Sequence, residues 1–122
     1  MTYKEVAQII GTIPLDEGTI PFAYHHFPEN DPDNPAPPPP FICYSYAYSN
    51  DMIADNVNYQ HIRELVIEVY TDNKDFDIEA AVEAKLTANE IVFSKSEEYI
   101  GSEHLYMVTY SAQIVITEEN NG

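Results

Sequence analysis

The stretch from Pro40 to Asp72 places the strongest constraint on how this chain can fold. Two runs rich in β-branched and aromatic residues, Phe41–Tyr48 and Ile62–Tyr70, flank a polar segment that carries several Asp and Asn residues. Runs of this kind, bounded by turn-forming residues, are typical of β-strands. We therefore predict two consecutive strands joined by an acidic turn.

Alternation within the second run predicts which side chains share a face of the sheet. Leu65, Ile67 and Val69 fall on one side, whereas Glu64 and Glu68 fall on the other. Two glutamates on one side indicate a side that meets water or the basic groups of a partner. In the first run the tyrosines share a side that we expect to be partly buried. The exposed face of the sheet is accordingly predicted to be rich in tyrosine and glutamate.

Two helices are predicted, one before and one after these strands. The first follows a capping box formed by Thr2 and Glu5 and ends near Gly11. The second takes its N-cap from the polar turn around Asp75 and ends near Asn89.

Three further strands are predicted from shorter patterns. Pro21 confines the strand around Ile20–Tyr24 to an edge of the sheet or to a strand start. Ile91–Lys95 is a predicted strand, a turn follows at Gly101, and the clearest alternation of the chain runs over Leu105–Ile116. The element order is therefore α-β-β-β-α-β-β.

This order predicts an α+β fold: a mostly antiparallel sheet of four to five strands with hairpin-like links and two helices packed on one face. The length of 122 residues fits a single domain, 1–122, with a polar tail at 117–122. The residues expected in the core are Leu65, Ile67, Val69, Val82, Leu86, Val108 and Tyr110.

The segment Phe27–Pro40 holds six of the nine prolines within its last nine residues. Proline has no N–H to donate to a sheet and favours the extended polyproline II conformation. We interpret the segment as a stiff projecting loop in which Pro37 and Pro38 contact a neighbouring subunit or another protein. A proline-rich ligand for a separate domain is the alternative interpretation.

The charge balance excludes several kinds of partner. The chain has 21 acidic and 5 basic residues, which gives a net charge of −16. Such a surface repels nucleic-acid phosphates and anionic membranes, so we expect neither specific nucleic-acid binding nor membrane binding. Cys43 is the only cysteine, and the start of the chain lacks the features of a signal peptide. These observations predict a cytoplasmic protein.

No residue pattern points to catalysis. Carboxylate pairs such as Asp51 and Asp55 carry little information in so acidic a chain. The adjacent pair His25 and His26 would point to opposite faces of a strand and make a poor chelate. We therefore expect no catalytic, cofactor-binding or metal-binding residues, and a small enzyme is the last of three functional hypotheses.

Three polar-aromatic phrases carry a family resemblance: YSYAYSNDMIADNVNY at Tyr44–Tyr59, IEVYTDNKD at Ile67–Asp75 and EYIGSEHLYMVTY at Glu98–Tyr110. In these phrases the chain resembles the small tail terminator, or tail completion, proteins of long-tailed phages and prophages of Gram-positive bacteria. The resemblance covers roughly the last two-thirds of the chain and includes no catalytic motif.

The resemblance implies a structural protein without enzymatic activity. It implies a homo-oligomeric ring, of six subunits, that caps the tail tube and joins it to the head connector. The implied partners are the major tail protein and the head-connector proteins, and the implied location is the host cytoplasm during assembly and then the virion tail. Self-repulsion at −16 per subunit opposes ring closure, so the isolated chain is compatible with a monomer.

The surface expected to contact these partners combines aromatic and polar side chains of the acidic turn and its borders. Its residues are Tyr46, Tyr48, Asn50, Asp51, Asp55, Asn56 and Tyr59, together with Pro37 and Pro38. The competing hypothesis is an acidic protein that binds and inhibits a basic or nucleic-acid-binding partner, for example by mimicking the charge of DNA.

Overall fold

The computed structural model describes residues 1–26, 37–47 and 60–117. Over these residues the chain forms two helices and five strands, and the strands lie in one mixed sheet. In chain order the elements are α1 (Tyr3–Gly11), β1 (Phe22–Tyr24), β2 (Phe41–Ala47), β3 (Gln60–Thr71), α2 (Phe76–Ala88), β4 (Ser94–Ile100) and β5 (Leu105–Thr117). The predicted α+β class and the predicted element order are confirmed.

The strands are arranged in the order β1-β2-β3-β5-β4. The longest pairing joins β3 to β5, which run antiparallel along the whole of β3. Strand β2 pairs antiparallel with the other side of β3, and β4 pairs antiparallel with β5. The sheet is therefore mostly antiparallel, as predicted.

Strand β1 is the exception, because it runs parallel to β2 and places Tyr24 beside Tyr44. The predicted hairpin-like link is wrong at this point, since parallel neighbours need a longer crossover connection. The proline-rich part of the sequence falls within that crossover. The prediction that Pro21 confines this strand to an edge is confirmed, because β1 begins one residue later and is the first strand of the sheet.

Both helices begin at the predicted caps. The Thr2 hydroxyl accepts a hydrogen bond from the Glu5 N–H at 3.1 Å, and the Glu5 carboxylate accepts one from the Thr2 N–H at 3.2 Å. In α2 the Asp75 carboxylate accepts from the Asp77 and Ile78 N–H groups, both at 3.1 Å. These contacts satisfy backbone donors that a helix start otherwise leaves unpaired.

The two helices pack on the same face of the sheet and share one core with its side chains. Helix α1 contributes Val6 and Ile10, and α2 contributes Ile78. All seven residues predicted for the core are buried, each at most 2% exposed: Leu65, Ile67, Val69, Val82, Leu86, Val108 and Tyr110. Neither of these two helices is long and apolar enough to cross a membrane.

The start of β4 differs from the prediction. The strand begins at Ser94 and reaches Ile100, whereas Ile91 is a buried residue whose N–H donates to the Leu86 carbonyl at 2.9 Å. Ile91 thus packs the end of α2 onto the core instead of opening the strand. The sequence analysis placed this strand three residues too early because nearly all side chains of β4 are exposed, so that pairing with β5 defines the strand rather than burial.

The tyrosines of β2 also lie on a different face from the one expected. The register pairs Tyr44 with Ile67 and Tyr46 with Leu65, so both tyrosines share the helix-covered face. The prediction that tyrosine and glutamate together mark the exposed face is therefore wrong for β2. It holds for β3, where Glu64, Glu68 and Tyr70 lie on the opposite face.

Because the side chains of Leu65, Ile67 and Val69 on β3 are buried, truncating one of them should lower the stability of the fold measurably. Ile67 is 1% exposed, so Ile67→Ala should lower the free energy of unfolding by about 2–5 kcal/mol in a denaturant titration. Val115→Ala is the matched control, because Val115 is 45% exposed on a neighbouring strand and should change stability much less. Equal losses for the two variants would show that the assigned faces of the sheet are wrong.

Candidate interaction surface

Four tyrosines and one arginine line a groove at the end of the sheet where β2 stops. The residues are Tyr3, Tyr24, Tyr44, Tyr46 and Arg63, and the volume they enclose is about 440 Å³. We call this feature the tyrosine groove. Tyr3 opens α1, Tyr24 closes β1, Tyr44 and Tyr46 belong to β2, and Arg63 belongs to β3. The groove thus requires four elements of the fold.

Strand register and the cap of α1 bring these side chains together. The parallel pairing of β1 with β2 sets Tyr24 beside Tyr44, and alternation puts Tyr46 on the same face. The capping box fixes the start of α1, where the Tyr3 ring meets the Tyr46 ring edge-on, with centroids 5.0 Å apart. Arg63 Nε donates a hydrogen bond to the Tyr3 hydroxyl at 3.1 Å, which joins α1 to β3.

The rings hold one another in geometries that aromatic pairs prefer. Tyr24 and Tyr44 are 5.3 Å apart at an interplanar angle of 76°, and Tyr44 and Tyr46 are 6.3 Å apart at 84°. Edge-to-face pairs of this kind add attraction beyond the area they bury. Tyr44 is only 9% exposed, whereas Tyr3 and Tyr24 are 40% and 55% exposed. Tyr44 and Tyr46 therefore form a fixed floor, and Tyr3 and Tyr24 form walls that a ligand can touch.

The polarity of the groove differs from that of the chain as a whole. Among the described residues, its lining includes Arg63, the only arginine of the sequence, and no carboxylate, although the chain carries 21 acidic residues. Burial raises the pKa of Tyr46 above its ordinary value, and burial together with Tyr24 raises the pKa of Tyr44. These hydroxyls therefore stay protonated at physiological pH. The described lining therefore combines aromatic faces and hydroxyl groups with the Arg63 guanidinium, which already donates to the Tyr3 hydroxyl.

The Tyr46 hydroxyl is buried and has no hydrogen-bond partner among the residues that the structure describes. A buried hydroxyl without a partner costs stability, because it gives up its bonds to water on folding. The contacts of the described residues therefore do not explain why position 46 carries a tyrosine instead of a phenylalanine.

The predicted contact residues fall in different places. Tyr46 lies in the tyrosine groove, whereas Pro37 and Pro38 precede the start of β2 at the opposite end of that strand. Pro38 is exposed and Pro37 is partly exposed. The remaining predicted contacts lie outside the described residues: Tyr48, Asn50, Asp51, Asp55, Asn56 and Tyr59.

Sequence analysis missed four members of the groove: Tyr3, Tyr24, Tyr44 and Arg63. Tyr44 lies two residues before Tyr46 on the same strand, so alternation could have identified it. The other three are far from Tyr46 in the sequence, and no local pattern relates them. Knowledge of the parallel pairing of β1 with β2 would have identified Tyr24, since this pairing places Tyr24 beside Tyr44.

A second cluster of charged residues connects α2 to the strands of the same face. Glu79, which is 4% exposed, lies between two lysines: its Oε2 is 2.6 Å from Lys74 Nζ and its Oε1 is 2.7 Å from Lys95 Nζ. Lys95 also pairs with Glu83 at 2.8 Å, and Glu83 accepts a hydrogen bond from the Tyr110 hydroxyl at 2.9 Å. Each charged side chain of this cluster is therefore paired with an opposite charge or accepts a hydrogen bond. This pairing favours a structural function for the cluster.

The pKa directions in this cluster agree with that function. Burial by itself raises the pKa of Glu79, but the hydrogen bonds from Lys74 and Lys95 lower it by more, so that the net pKa lies below its ordinary 4.5. The hydrogen bond from Lys95 is the main cause that lowers the pKa of Glu83. Both carboxylates are therefore more stable as anions in the folded chain than in the unfolded chain.

The sheet face opposite the helices combines aromatic and acidic side chains. Phe41 stacks on Tyr70 with centroids 4.9 Å apart, and the Tyr70 hydroxyl donates to the Glu68 carboxylate at 3.1 Å. Glu64 lies on the same face. Neither of the two described helices packs on this face, which we call the open face. It is the second surface that can meet a partner.

Within the described ranges, no group of three His, Cys, Asp or Glu side chains is placed to hold a metal ion. No protein-family model matches the chain, and no curated protein matches it significantly. The case for a function therefore rests on the residues and their geometry.

The Glu79 cluster predicts a pH dependence of stability. A carboxyl whose pKa is lower in the folded chain adds stability above its unfolded pKa and loses it as the pH falls through the folded value. We expect the free energy of unfolding to fall as the pH drops below 4.5, and Glu79→Gln to make that fall shallower. At neutral pH the substitution should cost about 1–3 kcal/mol, because two lysines lose their shared acceptor.

Glu103→Gln is the control for that experiment, since Glu103 is exposed in the turn between β4 and β5. It should leave both the stability at neutral pH and its acid dependence close to those of the natural chain. Parallel pH curves for the natural chain and Glu79→Gln would contradict the assignment.

Replacing each of the two buried tyrosines, Tyr46 and Tyr110, with phenylalanine should have different effects on stability. Tyr46→Phe removes a hydroxyl without a partner in the described part of the chain and should leave stability unchanged or raise it by about 1 kcal/mol. Tyr110→Phe removes the donor to Glu83 and should cost about 1.5 kcal/mol. Thermal unfolding of both variants checks the pair, and a comparable loss for Tyr46→Phe would contradict the structure of the groove.

Proposed function

We propose that this chain is a structural protein of a long-tailed phage or prophage, a tail terminator-like protein that caps the tail tube and joins it to the head connector. The proposal is supported by the phrases at Tyr44–Tyr59, Ile67–Asp75 and Glu98–Tyr110. It is further supported by two surfaces that suit contacts between subunits, namely the open face and the edge strand β4.

The observation that carries the proposal is that the described fold leaves two surfaces of one sheet available to other chains. The open face carries Phe41 and Tyr70 between Glu64 and Glu68, a mixture of aromatic and charged groups that suits a protein interface. Strand β4 lies at the edge of the sheet and pairs with β5 on one side. Head-to-tail contacts between such surfaces close into rings when the rotation permits.

The edge strand is protected against unspecific pairing. Lys95, Glu97 and Glu98 lie on β4, and charged residues at an edge disfavour extension by an arbitrary strand. Contact through this edge would then require a partner whose charges are complementary to those of β4. Such selectivity is compatible with a subunit that meets one or two defined neighbours.

The charge of the chain also fits a component of a DNA-conducting tail. At −16 per subunit, a ring would present DNA with a repulsive lining to which it does not adhere. The Glu79 cluster uses two of the five basic residues for internal ion pairs, and Arg63 binds Tyr3. Most of the described carboxylates, by contrast, are exposed.

The alternative function is that of an acidic protein that inhibits a basic or nucleic-acid-binding partner. The specific observation in its favour is that Glu64 and Glu68 lie on the open face, where they could meet basic groups. A charge mimic should bind a basic protein as a monomer, whereas a tail protein should bind the tube protein or assemble with itself.

The proposed function predicts a defect in tail assembly when the gene is deleted from the phage. Electron microscopy should show tails of uncontrolled length or tails that fail to join heads, and the natural gene supplied in trans should restore normal particles. Tails of normal length joined to filled heads in the deletion would refute the proposal.

Charge reversal on the open face refines this test. The double variant Glu64→Lys with Glu68→Lys should fail to restore assembly, because it changes the proposed contact surface. The double variant Glu17→Lys with Glu103→Lys makes the same change in net charge at exposed positions elsewhere and should restore it. Equal rescue by both variants would exclude the open face as the contact surface.

A further inference from the structure

We propose that the open face docks an arginine-bearing surface of a different protein, with the Glu68 carboxylate as the main contact. The open face is the side of the sheet that carries Glu64, Glu68, Phe41 and Tyr70, and neither described helix packs on it. The proposal deepens the proposed function, since it names the chemistry of the partner, and it rests on that function for the use of the open face as a contact surface.

The Glu68 carboxylate is positioned by a neighbour on the same strand. The Tyr70 hydroxyl donates to Glu68 Oε1 at 3.1 Å, and the Tyr70 ring stacks on Phe41 with centroids 4.9 Å apart. Burial and the nearby Glu68 raise the pKa of Tyr70, so the hydroxyl stays protonated and remains a donor at physiological pH. A carboxylate has about four acceptor sites, so Glu68 keeps the capacity to accept hydrogen bonds from a second group.

A carboxylate beside an aromatic stack fits a guanidinium better than an ammonium. A guanidinium is planar, donates two parallel hydrogen bonds to one carboxylate and stacks on aromatic rings, whereas the lysine ammonium acts as a point charge. The residues level with Glu68 on the other strands have short side chains, namely Cys43 on β2, Thr109 on β5 and Ser96 on β4. These short side chains leave room above the sheet for the long stem of an arginine.

The distribution of basic residues makes the open face electrostatically one-sided. Lys4 and Lys85 belong to α1 and α2, which pack on the other face. Lys74, Lys95 and Arg63 each bond to a residue of one of these helices. These five are all the lysines and arginines of the sequence. The open face therefore carries carboxylates without a lysine or arginine of its own chain, and a cationic partner complements it.

The same distribution favours a different protein over a second copy of this chain. The only arginine, Arg63, lies on the helix-covered face, where its Nε donates to the Tyr3 hydroxyl at 3.1 Å. A symmetric contact between two open faces would bring Glu64 and Glu68 towards the same glutamates of the second copy, and such like-charge contacts are unfavourable. Contacts between copies would then use other surfaces, such as the β4 edge.

Two designed peptides test the choice of arginine. Glu64 and Glu68 are four residues apart on β3, a distance of about 13 Å along the strand. The peptide GRTVTRG carries two arginines at the same spacing, and GKTVTKG carries two lysines there. In a titration followed by backbone amide chemical shifts, the arginine peptide should bind at least about threefold more tightly than the lysine peptide. The largest shifts should lie around Glu68.

Substitutions test the contact with Glu68. Glu68→Gln should weaken binding of the arginine peptide by about tenfold, because it removes the charge and one of the two acceptors that a guanidinium uses. Glu17→Gln is the matched control, since Glu17 is exposed and lines a cleft with Ile78 of α2 on the helix-covered side. It removes the same charge and should leave binding nearly unchanged.

Several results would overturn the proposal. They are failure of the natural chain to bind the arginine peptide, equal affinity for the two peptides, equal losses for Glu68→Gln and Glu17→Gln, and largest shifts away from the open face. Thermal unfolding checks that Glu68→Gln is folded. If it is not, Glu64→Gln takes its place and should weaken binding by at least about threefold.

The two proposals can fail separately. The peptide titration measures the chemistry of the open face, whereas gene deletion measures tail assembly. Arginine-specific binding together with normal tails in the deletion would contradict the tail function alone. Defective tails together with no peptide binding would contradict the arginine contact alone.

Discussion

The register of β3 against its two neighbours is the constraint on which the rest of this structure depends. Ile67 lies between Tyr44 of β2 and Tyr110 of β5, and this row forms the floor on which both helices pack. A shift of one residue in either pairing would move the core side chains of the shifted strand to the opposite face. The same register places Tyr44 and Tyr46 in the groove and Glu64 and Glu68 on the open face, so core and surfaces are set together.

Scarcity of basic residues is the second physical feature of the chain. Two of the five basic residues, Lys74 and Lys95, hold Glu79 between α2 and the neighbouring strands, and a third, Arg63, joins β3 to the start of α1. The cations are thus used where they connect elements of the fold. Such pairs are worth less than their number suggests when they face water, but Glu79 is buried and would be costly to leave alone. The carboxylates without such partners give the surface its negative character.

Much of the fold could be predicted from the sequence because its signals are local. The capping residues Thr2 and Asp75, the alternation in β3 and β5 and the core row around Ile67 all act over a few residues, and each is confirmed. Features that depend on pairing between distant segments could not be predicted from such local patterns. The parallel alignment of β1 with β2 has no local signature, and β4 lacks an apolar face because it is an exposed edge.

The candidate surface shows the same division. Tyr46 was identified from its aromatic and polar neighbourhood, but Tyr3, Tyr24 and Arg63 reach it only through the tertiary structure.

The central proposal is that this chain is a structural subunit of a phage tail. Quantitative mass spectrometry of purified particles tests it most directly, with the major tail protein as an internal reference. The account predicts a small, fixed number of copies per tail that does not change with tail length. Its absence from purified particles, with the protein present only in the surrounding lysate, would contradict the account.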